Sequence, residues 1–371
     1  MTDLEKRLND ILASITLPGR EEEARVIVLS LIAKQHAVLI SPPGTGKSLL
    51  ISRLVKSFNV PYFEYLLTKF TLPEELFGPP DVKLLREQGK YKIITTGRLP
   101  EARIAFLDEI FKGSSAILNS LLGIINERKF FDGERMVDVP LWSLFSASNE
   151  VPDEPELQAF YDRFLFRHFH SYLPPELWDQ YLVAYWNVHR PGGMSPPSFD
   201  FKVIEDAHRE LWNVDVFAVK DKLLKVLAKA QDVGVTVSDR RKGRALVAIA
   251  ANAVLSGRTV ASPEDLSVLV YVLPATEKEK ELVQQVVADV AGRDLAARRE
   301  LRDIIPQLRA LIKEVENAPS YQEALRVAQK LAHINARVAE LRGVVSDAPE
   351  LEEIRKLVEE FNEKLVSKVS V

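Results

Sequence analysis

The chain has 371 residues, of which 46% are hydrophobic and 27% charged, and a net charge of −4. That length exceeds one ordinary core, so two or three domains are expected, and the charge balance supplies no global field for nucleic acid or an anionic membrane. Cysteine is absent, which excludes disulfides, thiol catalysis, iron–sulfur clusters and cysteine zinc sites; it fits a reducing interior and equally a hot habitat.

The opening stretch "MTDLEKRLND" is too charged for a secretory signal. The longest apolar run, residues 245–255 with Asn252 inside it, is too short to span a bilayer. A soluble cytoplasmic protein is expected.

Five short β-type runs follow, at residues 36–41, 61–66, 103–108, 141–146 and 165–172. Helical patterns separate them, notably at residues 48–57 and 114–127. Strands alternating with helices predict an α/β fold, with a parallel sheet covered on both faces. The stretch "RPGGMSPPS" (residues 190–198) reads as a linker. Helical patterns then fill residues 201–272. "ASPEDL" is a helix start, with Ser262 as N-cap, Pro263 in the first position and Asp265 in the first turn. From Glu277 onward the chain is charged and helical. Val283, Val286, Val287 and Val290 share one apolar face, as do Leu357, Val358, Phe361 and Leu365. Breaks are expected at residues 317–319 and 346–349. Three domains result, at residues 1–190, 198–275 and 276–371.

The stretch with most chemistry is "LISPPGTGKSLL", residues 39–50. A P-loop needs Gly, four residues, then Gly-Lys and Ser or Thr. Gly46, Lys47 and Ser48 fit, while Ser41 stands where the first glycine is usual. The physical requirement is a turn whose N–H groups reach a phosphate unobstructed, which Gly44 and Gly46 allow. The cradle is then Pro43, Gly44, Thr45, Gly46, Lys47, Ser48 and Leu49. Lys47 would reach the β- and γ-phosphates of ATP, and the Ser48 hydroxyl would ligate Mg²⁺.

Further candidates stand at strand ends, where ligands of parallel sheets bind. "RIAFLDEI" ends in Asp108, suited to the Mg²⁺ shell, and Glu109, suited to polarise water as general base. The bland alternative is a pair of solvated carboxylates. Asn149 closes "LWSLFSASNE" and could orient the attacking water or merely form a turn. Arg163 in "AFYDRFLFR" is either a surface partner of Asp162 or a finger for a neighbouring subunit's γ-phosphate. Arg240 or Arg241, opening a helix in "VSDRRKGRA", could read the nucleotide from the second domain. His168 and His170 share a strand face with a spacing that suits a metal, but no third ligand is evident, so a structural pair is favoured.

In this order these motifs resemble an AAA+ ATPase of the MoxR branch, RavA-type members most closely. "FTLPEELFGP", "GRLPEARIAFLDEIFKGSSAILNSLLGIINERKFFDGE", "FSASNEVP", "YDRFLFR" and "VSDRRKGRA" carry the resemblance, over about residues 35–270. It implies an AAA+ module with a five-stranded parallel sheet between helices, then an α-helical lid; an α-helical extension follows. Lys47 and Ser48 become Walker A, and Asp108 and Glu109 Walker B. Asn149 becomes sensor 1, Arg163 the arginine finger and Arg240 sensor 2, with Arg241 as its rival. The resemblance implies further that "TKFTLPEELFGPPDV" is a helix-2 insert, with Phe77-Gly78-Pro79 near the pore of a ring. For Phe70, Leu72 and Phe77 the competing reading is core packing. "NERKFFDGE" resembles a pre-sensor-1 hairpin turning at Asp132-Gly133.

The function implied is a Mg²⁺-dependent ATPase forming a ring, a hexamer by resemblance. It would remodel or mature protein complexes in chaperone fashion, beside a von Willebrand factor A domain protein. The alternatives are an AAA+ DNA motor or loader, a chelatase-like motor subunit, and a small-molecule phosphotransferase. The mixed charge of "KFFDGER" favours a protein client over nucleic acid. RavA-type proteins carry a further β-rich domain, whereas nothing after Glu277 reads as strands.

Overall fold

A computed structural model describes residues 2–191, 193, 195–317, 321–343, 345 and 349–367. The chain opens with helices α1 (Asp3–Ile15) and α2 (Glu21–Ile32), then strand β1 (Ala37–Ile40), helix α3 (Lys47–Phe58) and strand β2 (Tyr62–Leu66). Helices α4 (Pro73–Phe77) and α5 (Val82–Gln88) precede β3 (Ile104–Asp108) and α6 (Ser115–Glu127). A hairpin, β4 (Lys129–Phe131) and β5 (Met136–Asp138), leads to β6 (Ser143–Ser148), α7 (Pro155–Tyr161) and β7 (Phe166–Phe169). Helices α8 (Trp178–His189), α9 (Lys202–Leu211), α10 (Lys220–Asp232) and α11 (Asp239–Leu255) follow. A 3₁₀ segment, Pro263–Tyr271, leads to α12 (Glu277–Asn317), α13 (Tyr321–Arg342) and α14 (Pro349–Ser367).

The main sheet is five-stranded, ordered β2-β3-β6-β1-β7, with every neighbouring pair parallel. Strands β1, β6 and β7 are buried along their whole length, as a sheet covered on both faces requires. Alternation along the strands divides the core. Val38, Ala105 and Leu144 face one side, against Ile117, Leu121 and Ile124 of α6 and Phe160 of α7. Helix α2 packs on β1, β6 and β7, and α3 on β3. The α/β expectation therefore holds.

The remaining helices agree in place and differ in detail. Ser114 caps α6, its hydroxyl accepting the Ile117 N–H at 3.5 Å. At "ASPEDL" a helix does start after Ser262, but it is a 3₁₀ segment. There Asp265 reaches back and accepts the Ser262 N–H at 2.8 Å, and the Ser262 hydroxyl donates to the same carboxylate at 3.3 Å. Helices α9 and α11 pack on each other and on α1 and α2. At the hairpin, Asp132 Oδ1 accepts the N–H groups of Glu134 and Arg135 at 2.9 Å each, and Gly133 takes φ +103°.

Phe77 follows the core-packing reading. It is buried and stacks on Phe130 with centroids 5.5 Å apart, so it anchors the insert. Phe70 and Leu72 are 90% and 60% exposed, so core packing does not explain them.

The described residues form two compact units, Met1–Gln284 and Gln285–Val371. In the second, the helices share a core that includes Leu301, Leu308 and Val315 of α12, Leu331 of α13 and Phe361 of α14. Phe361 is fully buried and Leu357, Val358 and Leu365 pack partly buried around that core, as the apolar periodicity predicts. Val283, Val286 and Val287 are buried and Val290 partly so. Of the expected breaks, residues 318–319 and 346–348 lie outside the described residues. Among the described residues no helix is long and apolar enough to cross a membrane.

Candidate active site

After β1 the chain turns through Pro43-Gly44-Thr45-Gly46 into α3. Gly44 and Gly46 have φ of +78° and +88°, a left-handed conformation that side-chain-bearing residues avoid. A Cβ on Gly44 would meet nothing within 4 Å, so conformation and not space demands glycine there. Gly46 is the N-cap of α3 and contributes no side-chain cap. The first N–H groups of that helix remain available to an anion, and the helix dipole favours one. Ser41 continues the ladder instead of turning: its N–H donates to Ser148 O at 3.1 Å. It is not among the residues of positive φ, so glycine is not required. The Ser41 hydroxyl lies 2.7 Å from that of Thr45.

The acidic pair leaves the end of β3. Glu109 has φ +53°, a conformation costing a residue with a Cβ about 1–3 kcal/mol. Asp108 Oδ1 accepts the Glu109 N–H at 3.0 Å. Asn149 leaves β6, the strand between β3 and β1. Its amide donates to Glu109 Oε1 at 2.6 Å, and its oxygen accepts from Lys47 Nζ at 3.4 Å. Lys47 also donates to Ser41 O at 2.9 Å. Burial pulls the Lys47 ammonium below the usual lysine range, while Asp108 and Glu109 oppose that shift.

Pro43 through Leu49, Asp108, Glu109 and Asn149 line one pocket of 380 Å³. Its oxygen donors, the Ser48 hydroxyl and the Asp108 carboxylate, are of the class a hard divalent cation such as Mg²⁺ takes. Sequence reasoning missed the opposite wall, Tyr181, Tyr185 and His189 of α8. Tyr185 and His189 stack with centroids 3.9 Å apart. Their spacing of four along the chain was the available signal. Tyr172 was also missed as a contact; its hydroxyl donates to Pro43 O at 3.2 Å.

The arginines do not join this pocket. Asp162 is not Arg163's partner: its carboxylate lies 3.2 Å from Arg167 Nη2 and 3.1 Å from Arg241 Nη2. Arg163 is half-buried with an unpartnered Nε, and makes no ion pair among the described residues. Burial, then the charge of Arg240, pulls its guanidinium below the ordinary range. Arg241 is 3% exposed and donates to the carbonyls of Asp162, Phe164, Leu165 and Val272 at 2.7–3.1 Å. Arg240 is exposed.

A phosphate-type turn after the fourth strand of this sheet order, an acidic pair two strands away and a following helical domain define an AAA+ nucleotide-binding module. Family comparison agrees. A model described as the MoxR domain in the MoxR-vWA-beta-propeller ternary systems matches residues 5–207, and one for the AAA lid domain matches residues 214–287. The chain belongs to the MoxR family of AAA+ ATPases. Two uncharacterized proteins of Methanocaldococcus jannaschii are similar along their length. MJ0812 is 34% identical, with 92% of this chain and 93% of the relative covered. MJ0079 is 33% identical, with 92% of each covered. A crystal structure of a provisionally assigned ATPase from Cytophaga hutchinsonii shares the fold, with a TM-score of 0.62 at 16% identity over 78% of this chain and 93% of that one.

Proposed function

We propose that the chain is a Mg²⁺-dependent ATPase working as a ring, most simply a hexamer, that remodels protein complexes in chaperone fashion. The convergence of Lys47, Asn149 and Glu109 at adjacent strand ends carries this reading. Pro43 through Leu49 hold the phosphates, with Lys47 supplying the cation. Ser48 and Asp108 hold Mg²⁺, which when bound neutralises the phosphate oxygens. Glu109 takes a proton from the attacking water, and Asn149 orients Glu109. Arg163 acts on the γ-phosphate of a neighbouring subunit, supported by its free guanidinium edge and its position outside its own pocket. Arg240 is the lid arginine, supported by the commitment of Arg241 to backbone carbonyls.

The division into residues 1–190, 198–275 and 276–371 belongs to the same proposal, as does a cytoplasmic location. A von Willebrand factor A domain protein as partner is supported by the name of the matching family model. Likeness to RavA-type members is proposed for the AAA+ and lid portions. The exposed Phe70 and Leu72 offer a protein client apolar contact. The hairpin carries both signs of charge, Lys129, Glu134, Arg135 and Asp138, which supports a protein client over a DNA track.

The test is phosphate release from ATP by the full chain. Turnover that chelation of Mg²⁺ abolishes supports the reading. A folded chain that binds Mg²⁺-ATP yet releases no phosphate at any protein concentration refutes it.

A further inference from the structure

Glu23 on α2 and His168 and His170 at β7 converge on one point. The imidazoles stack with centroids 5.4 Å apart, as residues on one strand face do. The third ligand absent from local sequence is Glu23, brought there because α2 packs on β7. One donor atom from each of the three lies within 4.8 Å of the others. Glu23 Oε2 is 3.8 Å from His168 Nε2, and Oε1 is 3.8 Å from His170 Nδ1.

These separations are too long for hydrogen bonds. The side chains are 2–6% exposed, so bulk water does not replace the missing partners. His170 Nδ1, the atom that faces Glu23, is buried without a partner, and an unmade buried hydrogen bond costs about 1–3 kcal/mol. The cluster is therefore incomplete as a protein-only network. Donors around a tetrahedral zinc ion stand roughly 3.3 Å apart, given bonds of about 2.0–2.2 Å. Closing the observed gaps takes small side-chain shifts.

Glu23 Oε1 also accepts from Arg20 at 2.8 Å. Burial, and behind it the charges of Lys280 and Arg20, with Lys47 at His170 alone, holds both imidazoles in the neutral form that ligates metals. Two imidazole nitrogens and one carboxylate do not suit Mg²⁺ or Ca²⁺, which take oxygen ligands. An ion here is held through nitrogen.

We propose that Glu23, His168 and His170 form a binding site for one first-row divalent transition metal, Zn²⁺ foremost, outside the nucleotide pocket and coupled to it. The coupling runs through His170, whose Nε2 lies 3.2 Å from Thr45 Oγ1. Metal on Nδ1 leaves the imidazole proton on Nε2, which then donates to Thr45. The Thr45 hydroxyl meets that of Ser41 at 2.7 Å, so the chain of contacts ends in the P-loop. Nucleotide hydrolysis does not require this ion in the function proposed above, and the two readings fail separately.

The full chain, chelator-treated and nucleotide-free, is titrated with Zn²⁺ and with Co²⁺. The expected result is one ion per chain, the intense visible absorption of tetrahedral Co²⁺, and imidazole scattering in the X-ray absorption of the Zn²⁺ form. His168→Ala and Glu23→Gln should each weaken Zn²⁺ binding by roughly tenfold or more, while Asp108→Asn leaves it unchanged. Absence of binding, or a bound ion without imidazole in its shell, overturns the site. Should the variants misfold, X-ray absorption of the wild type decides alone. Zn²⁺ loading should also shift the affinity for a fluorescent Mg²⁺-nucleotide by about twofold or more through the imidazole that it fixes. An unchanged affinity overturns the coupling.

Discussion

The Asn149 amide donates to Glu109 Oε1 at 2.6 Å. The contact spans two elements, and strand order makes it possible: β6 lies between β3 and β1. Any residue just past β6 therefore stands between the P-loop and the acidic pair. An amide suits that place because it donates to a carboxylate and accepts from an ammonium at once. Lys112, 3.4 Å from Glu109 Oε2, is the other group on that carboxylate.

Lys47→Ala and Glu109→Gln should separate binding from chemistry. Lys47→Ala removes the cradle's cation and should abolish detectable ATP binding by calorimetry. Glu109→Gln keeps the cradle and should bind normally, with turnover reduced roughly 10²- to 10⁴-fold. Equal loss of binding in both variants would remove Glu109 from the role of base.

Asn149→Ala leaves Glu109 held by Lys112 alone. The expected outcome is kcat lowered roughly ten- to hundredfold with KM for Mg²⁺-ATP little changed, because positioning is lost and binding is not. Asn149→Asp should be worse still, since it sets a second carboxylate against Glu109. Steady-state kinetics of the two variants checks both statements; a raised KM at constant kcat would make Asn149 a binding residue.

What was legible in sequence was local. The β1 run, the P-loop and "RIAFLDEI" sit where reading placed them, because strand burial and glycine chemistry are written in adjacent residues. The fourth strand was read two residues early: Leu141 and Trp142 are buried but lie ahead of β6. Trp142 is apolar for another reason, as its indole packs edge-on against Phe201 and His208 and donates to Leu31 O of α2 at 2.8 Å. The fifth was read too long: β7 ends at Phe169, the His170 N–H makes the last bond to β1 at Ile40 O, and Tyr172 beyond it contacts Pro43. Glu23 could not be read as a neighbour of the histidines, because only tertiary packing of α2 brings it there.

Arg163 should act between subunits. Arg163→Ala chains are mixed with Glu109→Gln chains, each nearly inert alone. If each site borrows Arg163 from its neighbour, the mixture should regain turnover, because a Glu109→Gln chain lends its Arg163 to the intact Glu109 site of an Arg163→Ala neighbour. A mixture that stays inert although the chains co-assemble, or full turnover by monomers in light scattering, would return Arg163 to an ordinary surface role.

Phe361→Ala should destabilise the C-terminal unit by about 3–5 kcal/mol, since Phe361 is fully buried in the core shared with Leu308 and Leu331. Thermal melting followed by circular dichroism measures this. A loss below about 1 kcal/mol would mean that the core closes over the gap, against the usual behaviour of packed interiors.

Arg240 and Arg241 should behave as opposites although they are adjacent. Successive helical residues point about 100° apart, and here one turns inward and the other to solvent. Arg241 donates to four backbone carbonyls and to Asp162 Oδ1, the last at 3.1 Å from its Nε. Burial pulls its guanidinium down to about 10, against the raising effect of Asp162; it stays charged at neutral pH. Arg241→Ala leaves those carbonyls without their donor and Asp162 with Arg167 and Ser238 alone, a change that costs about 3–5 kcal/mol when a buried charge pair is broken. The melting temperature should fall steeply, and turnover should fall only through lost folded protein. Arg241→Lys should recover little, because one ammonium cannot reach all these acceptors. Arg240→Ala removes an exposed side chain, so the melting temperature should stay within about 2 °C of wild type. Its turnover should nevertheless fall, because the lid loses its charge for the phosphates. Differential scanning calorimetry and phosphate release on the same preparations read both axes. A stable Arg241→Ala with lost turnover, beside a fully active Arg240→Ala, would exchange the two assignments.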